Sequence, residues 1–132
     1  MKRILSSAIV LCLAVGMAHA ASNAPVLSVT AGKMYTTALK SENDGLRNSA
    51  IFELAKIRSK YHYIDLTGYE KALKKMSSSD SKEFIRLNAQ LTLTYLQDKT
   101  LSERVKVQDG EDPLAFYTRL HEAICQEFYT AK

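Results

Sequence analysis

Residues 112–128, "DPLAFYTRLHEAICQEF", carry the strongest helix signal in the chain. Asp112 is a favourable N-cap, and Pro113 suits the first helical position because its missing N–H would be unpaired there anyway. With about 100° between successive residues, the apolar side chains fall in one broad arc, formed by Leu114, Phe116, Tyr117, Leu120, Ala123, Ile124 and Phe128. So wide an arc is typical of a helix that is contacted on several sides. We therefore expect this helix to be the central element of a bundle.

The same helix contains His121 and Cys125, four positions apart. Both fall within or at the edge of the apolar arc, so we expect a hydrogen-bonded core histidine beside a buried thiol. Imidazole and thiolate also suit zinc or copper, which makes the pair an alternative metal site, with His62 or a carboxylate as third ligand. A reactive thiolate is disfavoured, because the C-terminal end of a helix disfavours an anion. An intermolecular disulfide through Cys125 stays open.

A second helix is indicated by apolar residues at spacings of three and four, which form a core-facing stripe. They are Leu46, Ala50, Leu54, Ile57 and Tyr61. We expect Asp44 to cap this helix, and a first helix to follow Thr30 and end before residues 41–45.

Three further helix starts each place a capping side chain three residues before a glutamate that can return the hydrogen bond. They run from Thr67 to Glu70, from Asp80 to Glu83 and from Thr100 to Glu103. No convincing strand alternation occurs between these signals. The sequence therefore predicts an all-α fold, a small bundle of five to six short helices.

The N-terminus, "MKRILSSAIVLCLAVGMAHA" over residues 1–20, has the pattern of a secretory signal peptide. Two basic residues precede an apolar run, and the small-x-small site Ala18-His19-Ala20 follows it. The run is shorter than the roughly twenty residues that a membrane-spanning helix needs. We predict cleavage after Ala20, an extended leader over residues 21–29 and a single all-α domain over residues 30–132. The expected localisation is the periplasm of a bacterium, or secretion from it.

Charge and cysteine content exclude several classes of protein. Without Lys2 and Arg3, the 16 remaining lysines and arginines exceed the 14 acidic residues by only two. This is not the dense basic surface of a nucleic-acid binder. The sequence has no second long apolar segment, so we do not expect the protein to span a membrane once the signal is removed. Cys12 leaves with the signal, so Cys125 has no partner within the chain and no disulfide framework is expected.

Catalytic and cofactor motifs are missing from the sequence. It contains no phosphate-binding glycine loop, nucleophile elbow, HExxH, CxxC or c-type haem site. We therefore predict that the protein is not an enzyme and needs no cofactor. A hydrolase with residues brought together from distant segments is the weaker alternative.

Two connections offer residues for binding a partner. Tyr61, Tyr63 and Tyr69 lie in or beside the connection over residues 60–70, and tyrosines supply apolar area with a polar tip. Asp109 and Glu111 lie in a polar loop before the last helix, which is a candidate recognition tip.

A third candidate is a run of lysines. Lys71, Lys74 and Lys75 lie on one side of the third helix. A solvated face is the usual explanation for such a run, and an acidic partner or anionic envelope lipid is the functional one.

These features favour an exported, non-enzymatic helical protein that binds a protein partner in the cell envelope. By analogy of class, the role would be an immunity-type inhibitor of a delivered toxin or an accessory subunit of an envelope or secretion assembly. The alternative is a periplasmic small-ligand or metal-binding protein that uses the region of His121 and Cys125. A homodimer is compatible with either function.

Overall fold

The computed structural model describes residues 27–131, which fold into six α-helices and no strands. The helices are α1 (Val29–Leu39), α2 (Asp44–Lys60), α3 (Glu70–Ser79), α4 (Glu83–Gln97), α5 (Lys99–Arg104) and α6 (Pro113–Thr130), and a 3₁₀ turn at Thr67–Tyr69 precedes α3. The predicted all-α class, with five to six helices, is confirmed.

The predicted signal peptide, residues 1–20, and residues 21–26 of the leader lie outside the described residues. The end of the leader differs from the prediction, because α1 already begins at Val29. Ser28 caps this helix by accepting a hydrogen bond from the Ala31 N–H at 3.2 Å, and Leu27 packs against the core. Between residues 27 and 131, no helix combines the length and the apolar character required to cross a bilayer.

Helix α4 is the central element of the bundle, and it contacts α2, α3, α5 and α6. The prediction that α6 is central is wrong. Helix α6 buries Phe116, Tyr117 and Leu120, whereas Leu114 and Phe128 are 78% and 72% exposed. The apolar arc of α6 is wider than the face that the other helices cover.

An aromatic cluster forms the part of the core where α2, α4 and α6 meet. Phe116 lies 5.5 Å from Tyr95 and 5.8 Å from Phe52, measured between ring centroids. The Tyr95 hydroxyl donates to the Val105 carbonyl at 2.7 Å. Both buried polar tips are satisfied, because the Tyr117 hydroxyl shares a 2.8 Å hydrogen bond with the Thr92 hydroxyl.

The cap of α6 agrees with the sequence, since Asp112 accepts a hydrogen bond from the Ala115 N–H at 3.1 Å. The cap of α2 is shifted by one residue from the prediction. Asn43 accepts from the Leu46 N–H at 3.0 Å, and Asp44 is the first helical residue. Asn and Asp are equally good caps, so the sequence alone did not separate these neighbours.

The three predicted capping boxes do not form. Helix α5 is capped by Asp98, which accepts from the Leu101 N–H at 2.9 Å, instead of Thr100. Thr67 donates its N–H and its hydroxyl to the Asp65 carboxylate, so its side chain is already engaged. Asp80 pairs with a distant arginine and leaves α4 without a side-chain cap. In each case another polar group either takes the cap position or engages the expected capping side chain.

The predicted stripe of α2 is buried in the middle and exposed at its ends. Ala50 and Leu54 are buried and Ile57 is half-buried, whereas Leu46 and Tyr61 are 49% and 37% exposed. The middle of the predicted stripe therefore faces the core, and Tyr61 lies just past the end of α2, which periodicity does not reveal.

Candidate functional site

A groove of about 1030 Å³ lies between α1, the α1–α2 connection, α3 and the α3–α4 connection. Apolar side chains that are buried or half-buried line it, namely Leu39, Tyr69, Ala72 and Met76. Four exposed lysines also line it, namely Lys40, Lys71, Lys75 and Lys82. We call this concavity the lysine-rimmed groove. Apolar lining with a few polar groups is the usual composition of a ligand-binding site.

Helix α3 supplies both basic and apolar side chains to the groove. Residues four apart are neighbours on a helix surface, so Lys71 and Lys75 form one row and Ala72 and Met76 form the row beside it. Lys74 does not line the groove. The three lysines that the sequence placed together are therefore divided between two surfaces.

A partly buried ion pair fixes one end of the groove. The Arg47 guanidinium donates from Nε and Nη2 to the Asp80 carboxylate at 2.9 and 3.0 Å. Its Nη1 donates to the carbonyls of Ser41 and Glu42 at 2.9 and 3.0 Å. The two side chains are only 11% and 7% exposed. This cluster ties the α1–α2 connection to the α3–α4 connection and so holds both walls of the groove.

Asp80 is kept ionised within this cluster. Burial raises the pKa of its carboxyl, but the hydrogen bonds from Arg47 and from the Lys82 N–H outweigh burial, and the pKa lies below its usual range. The carboxylate therefore remains available to neutralise Arg47.

The remaining charges of the groove are mostly positive. Arg47 is paired with Asp80, and the Lys82 ammonium lies 3.9 Å from an Asp44 carboxylate oxygen. Within residues 27–131, Lys40, Lys71 and Lys75 form no ion pair, and Glu42 is the unpaired carboxylate of the lining. Three unpaired ammonium groups against one carboxylate favour a negatively charged occupant.

The three candidate tyrosines lie in two places. Tyr69 lines the groove, and its ring meets Tyr35 of α1 edge-on at 6.3 Å between centroids. Burial raises the pKa of Tyr69, and the nearby Tyr35 raises it further. Tyr61 and Tyr63 are exposed, and their ring centroids lie 6.1 Å apart. Neither residue lines the groove. Only Tyr69 is therefore carried into the candidate site.

The two candidate carboxylates before α6 also lie away from the groove. Asp109 is exposed. Glu111 is held by its own loop, because its carboxylate accepts from Arg119 Nε and Nη2 at 2.8 and 2.6 Å and from the Gln108 N–H at 2.9 Å. The Arg119 hydrogen bonds lower the pKa of Glu111. Its role in the described structure is to close this connection around Gly110, whose φ of 73° is in the left-handed region.

His121 and Cys125 lie at the surface, so the expectation that the histidine is packed in the core is wrong. The Cys125 Sγ lies 3.7 Å from His121 Nε2, with His121 exposed and Cys125 half-buried. The reason is that α6 buries its other side. In the part of the chain that the structure describes, no three histidine, cysteine or acidic residues lie close enough together to hold a metal ion. His121 and Cys125 therefore supply two metal ligands without a third beside them.

Sequence reasoning missed Leu39, Lys40, Arg47, Met76 and Lys82 as parts of one site. They come from segments that are distant in the chain and meet only in the folded bundle. One sequence feature could have indicated the site. On α3, Lys71 and Lys75 lie four residues apart directly beside Ala72 and Met76 at the same spacing, so a basic row borders an apolar row.

Comparison with known protein families, characterised proteins and solved structures finds no match to this chain. The fold and the site together define an all-α bundle with a basic, amphipathic groove.

Proposed function

We propose that this is an exported periplasmic protein of a bacterium that binds a protein partner and catalyses no reaction. The lysine-rimmed groove is its binding site. The observation that carries the proposal is the combination of an apolar lining with three lysines, Lys40, Lys71 and Lys75, that have no ion-pair partner within residues 27–131.

The chemistry of the groove defines the partner's contacting segment. Ammonium groups complement carboxylates, and the half-buried side chains of Tyr69 and Ala72 offer apolar area to an apolar side chain. The partner therefore presents an acidic segment with at least one apolar anchor. Burial of the anchor supplies most of the affinity, at roughly 25 cal/mol per Å², and the charges supply specificity and a faster association rate.

A protein segment fits the groove better than a flat lipid surface does. The lysines surround a concavity, whereas a membrane surface would contact lysines that project together from one convex face. Lys74, which a membrane-facing row on α3 would include, lies outside the groove. An anionic lipid is therefore the alternative occupant, and the test has to distinguish it from a protein partner.

The predicted signal peptide supports the compartment, since Lys2, Arg3, the apolar run and the Ala18-His19-Ala20 site form a complete export pattern. An immunity-type inhibitor of a delivered toxin and an accessory subunit of an envelope or secretion assembly both act by occupying a partner's surface. Neither role requires a catalytic group.

A small-ligand or metal-binding function at His121 and Cys125 is the second candidate, because the two side chains approach within 3.7 Å. Zinc or copper binding that is lost in a His121→Ala, Cys125→Ser double variant would favour this function. Binding that persists in the double variant would remove the pair from consideration.

Site-specific photo-crosslinking in bacterial cells tests the main proposal. A photoreactive amino acid replaces Thr36 or Ser79, which are exposed residues that line the groove, or Gln90, an exposed residue of α4 outside it. We expect a protein adduct of defined mass from the first two positions and none from Gln90. No adduct, or an adduct with lipid alone, contradicts the proposal.

A further inference from the structure

Helix α6 carries a second surface, on the side that the bundle leaves uncovered. Leu114, Thr118, His121, Cys125 and Phe128 follow one another at spacings of four, three, four and three residues. At 100° per residue they fall within about 80° of the helix circumference. We call this surface the α6 stripe. Cys125 is half-buried and the other four residues are exposed.

The α6 stripe has the geometry of a helix–helix seam. Its alternation of four and three residues is the spacing of the contact positions in a two-stranded helix pair. The stripe runs from Leu114 to Phe128, so the seam is about 21 Å long. Phe116 and Leu120, which α6 buries in the bundle, lie on a different face, and the buried Tyr117 lies at the border between the two faces.

Apolar side chains of α4 extend the stripe at its N-terminal end. Phe84 and Leu87 are 46% and 51% exposed, and they line one groove of about 490 Å³ with Leu114 and His121. Exposed apolar residues that cluster in this way are typical of a protein contact site, whereas single exposed ones are ordinary.

The charge pattern of this surface indicates its occupant. The α6 stripe contains no lysine, arginine or acidic residue. Among the described residues that line the adjoining groove, His121 and Glu122 are the two acidic or basic ones. In a two-fold contact the same patch meets itself, so a patch with a net charge would repel its copy. The stripe avoids this repulsion, and the lysine-rimmed groove does not.

We infer that the α6 stripe packs against the α6 stripe of a second copy of this chain and forms a two-fold dimer. Leu114 and Phe128 are its main apolar contacts. None of the residues that line the lysine-rimmed groove lies on α6, so the dimer leaves the lysine-rimmed groove of each copy open. The inference is independent of the proposed function.

Size-exclusion chromatography with light scattering tests the dimer. The purified protein is measured over a concentration series in reductant, so that a disulfide through Cys125 does not contribute. We expect a concentration-dependent dimer for the wild type and a monomer for Leu114→Glu and Phe128→Glu. The control is Leu46→Glu, because Leu46 is 49% exposed on α2 and lies outside the stripe, and it should associate as the wild type does.

Three results would overturn the inference. They are a wild type that stays monomeric up to its solubility limit, a dimer that survives in both stripe variants, and a control that dissociates as they do. Circular dichroism confirms that each variant keeps its helices. A photo-crosslink from position 118 to a different protein, with a monomeric purified chain, would assign the stripe to that protein and would also exclude the second copy.

Discussion

Arg47 and Asp80, 33 residues apart in the chain, form two hydrogen bonds of 2.9 and 3.0 Å between the first turn of α2 and the connection that precedes α4. Because both residues also line the lysine-rimmed groove, one ion pair supports both the bundle and the site. The stability of the fold and the shape of the groove are therefore expected to change together.

Replacing Asp80 by Asn should destabilise the protein. The change leaves the largely shielded Arg47 guanidinium without its counter-charge, which we expect to lower the free energy of unfolding clearly more than loss of a surface ion pair does. Urea denaturation measures the loss. The matched control is Asp44→Asn, whose carboxylate lies 3.9 Å from Lys82 at the surface, and there the change should be below about 1 kcal/mol. Equal effects of the two substitutions would contradict the assigned role of the pair.

Stability should fall in acid because of Asp80 and Glu111. Their folded pKa values lie below the ordinary range, whereas the unfolded values are about 3.9 and 4.3. Their contribution is therefore fully present above the unfolded values and is lost as the pH falls through the folded ones.

Urea denaturation at about pH 6 and about pH 3 checks this linkage. The wild type should lose more of its free energy of unfolding over this interval than an Asp80→Asn, Glu111→Gln double variant does. Parallel losses in the two proteins would show that other groups cause the acid sensitivity.

Tyr117→Phe should cost about 1 to 2 kcal/mol, because it leaves the fully buried Thr92 hydroxyl without its partner. Burial also raises the pKa of Tyr117, so this phenol should not ionise before the protein unfolds in base. The control is Tyr129→Phe, since Tyr129 is 81% exposed, and thermal unfolding of the two variants measures the difference. Equal stability of the two variants would contradict a structural role for this hydroxyl.

Export predicts a specific N-terminus. The protein purified from bacterial cells should begin at Ala21, as intact-mass measurement would show, because the small residues at positions 18 and 20 define the cleavage site. A charged replacement of Ala20 should leave the precursor uncleaved. Recovery of the unaltered chain from the cytoplasm with Met1 or Lys2 at its start would contradict export.

The sequence predicted the helical class because its apolar periodicity is strong. Asp112 and Pro113 locate the start of α6 correctly, since their preferences act within one helical turn. Where two good capping residues adjoin, as Asn43 and Asp44 do, local preference does not choose between them.

The errors concern which faces the other helices cover. The apolar residues of α6 cover a wide arc, and periodicity cannot say that Phe116 is buried while Leu114 is exposed. For the same reason His121 was expected in the core and lies at the surface. The groove was not predictable because Arg47 and Asp80 meet only after α2 and α4 have packed.

Charge reversal in the lysine-rimmed groove tests the central claim most directly. Lys71→Glu with Lys75→Glu changes two lysines that line the groove, and Lys74→Glu with Lys99→Glu changes two exposed lysines outside it by the same total charge. The readout is the yield of the protein adduct formed in cells through the photoreactive amino acid at Thr36. We expect the groove variant to lose the adduct by roughly tenfold or more, because like charges would then face the acidic segment, while the control stays close to wild type. An adduct that is unchanged in the groove variant, or reduced equally in both, would contradict the account.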